Sequence, residues 1–127
     1  LVASELNIDI DLFKNGEIAT LFKLNCEWLN KLIKVKDIKD LESVISIVPN
    51  SIKVELEKLL SNAKEVNYTN IIIAPLYYGS LRYYDGIYYR VIKDNLTLCN
   101  GGVYSSEGIN SLGFALYTDN LLKILED

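Results

Sequence analysis

The chain contains no histidine and no methionine, and only two cysteines and two prolines in 127 residues. Without histidine, Ser-His and Cys-His nucleophilic catalysis and most transition-metal sites are excluded. Cys26 and Cys99 lie far apart, form neither a Cys-x-x-Cys pair nor a disulfide framework, and read as ordinary buried thiols. Basic runs are also missing. Thirteen Lys and Arg are dispersed among seventeen acidic residues, for a net charge of −4. Nothing in that pattern neutralises several phosphates together, so no nucleic-acid partner is expected. There is no apolar stretch of the roughly 20 residues that a membrane span needs. No secretory signal is seen either, so the expected location is cytoplasmic and no membrane partner is expected. No cofactor or metal is called for by any motif. Position 1 is leucine rather than methionine, which leads to the expectation that residues 1–127 are a fragment of a longer polypeptide.

What is present is ordinary globular material: half of the residues are hydrophobic and about a quarter charged. The length fits a single domain, 1–127. Residues 1–67 read as mainly helical. The opening "LVASELNIDI" alternates briefly and reads as a short strand. Ile18, Leu21, Phe22, Leu24, Trp28, Leu29 and Leu32 recur at helical spacing, so one helix is expected over 17–33, with Trp28, Leu29 and Leu32 on its buried face. A second helix is expected through Ile38, Leu41, Val44, Ile45 and Val48, stopped by Pro49. A third follows, capped by Asn50 or Ser51, with Leu56, Leu59 and Leu60 facing inward. From 68 the texture becomes β-branched and aromatic. "TNIIIAPLYYG", the two runs around Asp94-Asn95, and "NSLGFALYT" read as strands, and "TDNLLKILED" as a closing helix. The expected class is α+β, an antiparallel meander with flanking helices.

Of nine tyrosines, seven (Tyr77, Tyr78, Tyr83, Tyr84, Tyr88, Tyr89 and Tyr104) lie between 77 and 104. Strand alternation puts one member of each adjacent pair on either side of the sheet. Tyr83 and Tyr89 are assigned to the core. The succession "LRYYDGIYY", "GGVYS" and "LGFALYTDNLL" over residues 70–125 resembles the C-terminal part of the histidyl-tRNA synthetase catalytic domain, a class II synthetase fold. There the corresponding segments read roughly RGLDYYTGxxF, GGRYD and GFAxGxERL.

The departures from that pattern carry as much information as the matches. Gly79, Val103 and Asn120 stand where the family has arginines, and Tyr117 where it has a small glycine. Amino-acid activation needs fixed guanidinium groups against phosphate charge. The chain is therefore expected not to be an enzyme. A retained fold without the chemistry is most like the regulatory subunit of ATP phosphoribosyltransferase, a synthetase paralogue of histidine biosynthesis. That resemblance implies a catalytic subunit as partner, a homo- or hetero-oligomer, and histidine as ligand in a degenerate pocket. It further implies ligand-binding roles for Tyr84 and Tyr104. Gly101 and Gly102 are candidates because a glycine backbone admits close approach of a small ligand. Asp85 adds a negative charge beside that pocket. Two other readings stay open: an active synthetase or related ligase, and a small α+β binding or adaptor domain unrelated to synthetases.

Overall fold

The structure, a computed structural model, describes residues 1–77 and 86–126. The chain divides into two compact units, Leu1–Gly79 and Ser80–Asp127. The first is helical: α1 (Val2–Leu6), α2 (Asp11–Lys14), α3 (Ile18–Phe22), α4 (Glu27–Ile33), α5 (Ile38–Ile45) and α6 (Asn50–Glu65). The second holds β1 (Tyr88–Lys93), β2 (Leu96–Ser106), β3 (Ile109–Leu116) and α7 (Thr118–Glu126). The class is α+β, as the sequence pattern indicates.

Several local expectations are corrected. The opening segment is helical rather than extended. Its alternation spans too few residues to exclude a helix, and Asn7, at φ 53°, turns the chain left-handed and ends it. The Ile8 N–H closes that end on the Ala3 carbonyl at 3.0 Å. The expected helix over 17–33 is broken into α3 and α4. Asn25, at φ 53°, is left-handed, a conformation that asparagine tolerates better than most residues. Leu29 and Leu32 are buried as expected, whereas Trp28 is only half-buried while packing against the core. The N-cap of α6 is Pro49, one residue earlier than expected. Its carbonyl accepts from the N–H groups of Ile52 and Lys53.

α5 begins at Asp37, whose carboxylate accepts the Asp40 N–H at 2.8 Å. Leu41 and Val44 on its inner face join Leu32, Val35, Val48, Ile52, Leu56, Ala63 and Ile73 in one core, with Leu59 and Leu60 half-buried against it. Residues 69–77 form no strand. Instead the Ile73 N–H donates to the Lys36 carbonyl at 3.0 Å, and Pro75 has no N–H to give to a ladder.

The sheet unit follows its pattern closely. β1, β2 and β3 form an antiparallel sheet in that order. Asp94 and Asn95 both adopt positive φ, 51° and 65°, as a tight two-residue hairpin requires. Glu107 and Gly108 do the same between β2 and β3. One irregularity interrupts the β1–β2 ladder. Val91 faces Cys99 and Ile92 faces Thr97, so Leu98 is the extra residue on β2. The Tyr117 N–H donates to the Leu98 carbonyl and Asn120 Nδ2 to the Thr97 carbonyl, at 2.9 and 2.8 Å. These two bonds seat the start of α7 against β2.

Candidate functional site

Pairing register fixes which residues share a face of the sheet. Across one row Arg90, Asn100 and Ala115 are aligned; the second row after it on the same face holds Tyr88, Gly102 and Gly113; then Tyr104 faces Ser111. The opposite face carries Tyr89, Gly101 and Phe114, flanked by Val91, Cys99 and Leu116 on one side and Val103 and Leu112 on the other. One face is therefore polar and aromatic with small residues between, and the other is apolar.

Of the residues expected in a pocket, Gly102 and Tyr104 lie on the polar face. Gly101 belongs to the other. Tyr84 lies outside the described residues, as do Tyr83, Asp85 and Gly79. The space above each glycine is already taken. A Cβ at Gly101 would lie 2.5 Å from the Tyr89 ring, and one at Gly102 would lie 2.6 Å from Tyr88 Cβ and 2.7 Å from the Ile87 carbonyl. The Tyr104 ring lies over Gly113, 3.0 Å from where a Cβ would stand. The glycines thus admit the tyrosines of neighbouring strands, a close approach that any side chain would block. Tyr89, assigned to the core from sequence, is 51% exposed despite this contact. Lying over a glycine covers one side of its ring only.

Other positions singled out from sequence find structural roles. Asn120 anchors α7 through Thr97. Tyr117 holds Asn100, whose Nδ2 donates to the tyrosine hydroxyl at 2.9 Å. Val103 lies against Gly86, on the apolar face. Cys26 and Cys99 are free thiols and half-buried rather than fully buried.

Asn100 was missed by the sequence reading. It is 5% exposed, the buried polar side chain among the described residues, and its Oδ1 has no hydrogen-bond partner. An unmatched buried amide costs about 1–3 kcal/mol, so natural folds rarely keep one without a use or a bound water. The available signal was its position: asparagine is a poor strand former, yet it stands in mid-strand directly before a glycine pair.

Two curated proteins align with nearly the whole chain. One from Wolinella succinogenes is 37% identical over 123 residues, which is 97% of this chain and 43% of the relative. The other, from Helicobacter hepaticus, is 34% identical over 125 residues, 98% of this chain and 44% of its own length. Both are named ATP phosphoribosyltransferase regulatory subunit. The chain is similar to ATP phosphoribosyltransferase regulatory subunits. It spans under half the length of these relatives. No protein-family model and no solved structure match it. Among the described residues no group of His, Cys, Asp and Glu could hold a metal ion, and no helix is long and apolar enough to cross a membrane.

Proposed function

We propose that the chain serves as part of a regulatory subunit of ATP phosphoribosyltransferase, acting in the cytoplasm in histidine biosynthesis without catalysing a reaction itself. The observation that carries this reading is the similarity to two regulatory subunits along almost the entire chain. It disfavours an unrelated α+β adaptor, because chance likeness does not extend over 97% of a sequence at 37% identity.

The same reading covers the fold and the pocket. The sheet unit corresponds to the last strands of a class II synthetase-like domain, and the polar face with Gly102 and Tyr104 to a degenerate histidine-type pocket, completed by Tyr84 and by Gly101 of the adjacent backbone. Support for lost activation chemistry comes from the residues themselves. Asn120 has an amide where phosphate chemistry would need a guanidinium, and that amide is engaged with Thr97. Val103 offers only an aliphatic side chain. The partner is the catalytic subunit, in a hetero-oligomer, and histidine is the ligand.

The test is reconstitution. The full-length subunit carrying this chain should co-purify with the catalytic subunit, raise its ATP phosphoribosyltransferase activity, and confer inhibition by histidine. It should also show no histidine-dependent exchange of pyrophosphate into ATP. A failure to associate, or exchange above a blank, would defeat the reading.

A further inference from the structure

On the polar face, Asn100 combines burial with an unanswered hydrogen-bonding group. Its amide is oriented by the Tyr117 hydroxyl, whose oxygen accepts a hydrogen bond from Nδ2 at 2.9 Å, while Oδ1 has no partner. Along β2, Asn100, Gly102 and Tyr104 alternate onto the same face, so this carbonyl stands in line with two residues of the proposed pocket. Ala115 is across from Asn100, while Gly113, across from Gly102, lies under the Tyr104 ring. Arg90 is across from Asn100 on the other neighbouring strand.

We infer that Asn100 is a ligand-reading residue: its Oδ1 accepts a hydrogen bond from an N–H donor of a small ligand bound on this face. An amide oxygen held by Tyr117 can only accept, so the complementary ligand atom is a nitrogen or hydroxyl that donates. Histidine meets that condition, with N–H groups on its ammonium and its imidazole; in naming it, the inference rests on the function proposed above. Tyr117 is then a positioning residue, setting the direction of the amide without touching the ligand.

The experiment is calorimetric titration of L-histidine into the full-length subunit and its Asn100→Ala and Asn100→Asp variants, with the thermal midpoint of each measured without ligand. Asn100→Ala should weaken histidine roughly tenfold, the worth of one well-made hydrogen bond. Its unliganded midpoint should change little, since removal of an unmatched buried oxygen offsets the lost bond to Tyr117. Asn100→Asp keeps the acceptor and should retain most of the affinity. In the wild type, the Asn100 side-chain amide resonances should shift when histidine saturates the protein, a readout that needs no variant to fold. An unchanged affinity in Asn100→Ala, with a lowered midpoint, would make Asn100 a structural residue and overturn the inference while leaving a histidine pocket intact. Unmoved amide resonances at saturation would overturn it in the same way. No histidine binding by the wild type would overturn both this inference and the ligand assignment.

Discussion

In the helical unit Leu29, Leu41 and Val44 are sealed from solvent; in the sheet unit Leu112 and Phe114 are 81% and 68% exposed. The contrast is general. Every buried apolar side chain among the described residues, from Leu21 to Ile73, belongs to the helical unit. The buried residues described in the sheet unit are Asn100, Gly101 and Gly102, consecutive on the middle strand. The helical unit is ordered by a core, and the sheet unit by backbone pairing, tight turns and tyrosines lying over glycines. Side-chain burial and hydrogen-bonded register are separable sources of order, and a single short chain can assign one to each of its halves. The apolar face of the sheet is also larger than single scattered exposures, which need no explanation, would make it.

The sharpest way to break this comparison is to remove apolar volume from each unit. Leu41→Ala, at a position with 0% exposure, should cost about 3 kcal/mol, within the 2–5 kcal/mol usual for core leucines. Chemical denaturation followed by helical circular dichroism measures it, and a loss under about 1 kcal/mol would show that the helical core is not closed. Next comes the sheet backbone. Gly102→Ala drives a methyl group onto the Ile87 carbonyl and the Tyr88 backbone, and should cost about 1–3 kcal/mol. Gly101→Ala meets only the far end of the Tyr89 ring, which can swing aside, so its effect should be smaller. Equal losses at the two glycines would mean that backbone contact is not what sets the cost.

A smaller effect is expected at the start of α5. Asp37→Ala removes the side chain that accepts the Asp40 N–H and should cost about 1 kcal/mol. Its recovery with Asp37→Ser would identify capping as the cause. The smallest belongs to the exposed sheet face. Phe114→Ser should change unfolding stability by no more than about 0.5 kcal/mol. A loss several times larger would show that this face is covered in solution, and would erase the contrast between the units.

Much of the sheet unit was legible before its structure. Asp94-Asn95 marks a hairpin because few residue types accept positive φ at consecutive positions, and the alternation of Tyr88, Tyr89 and Arg90 sorts them correctly between faces. The helical unit was legible in its long elements and not in its short ones. Five residues of alternation near the N-terminus cannot distinguish strand from helix. The periodicity of 17–33 also continues through the break at Asn25, because a left-handed turn reorients the chain without disturbing the apolar count.

Local chemistry therefore determined the class, the hairpin, the identity of the main core leucines and the motif order that connects this chain to its relatives. These follow from preferences that act within a few residues. Which residues share a site was decided only by tertiary pairing. Alternation alone sets the neighbours Gly101 and Gly102 on opposite faces, but register decides that Tyr89 lies over one and Tyr88 against the other, and tertiary pairing brings Asn100 beside Tyr117, seventeen positions away. The burial of that amide cannot be read along the chain, because it depends on what the strands on either side place next to it.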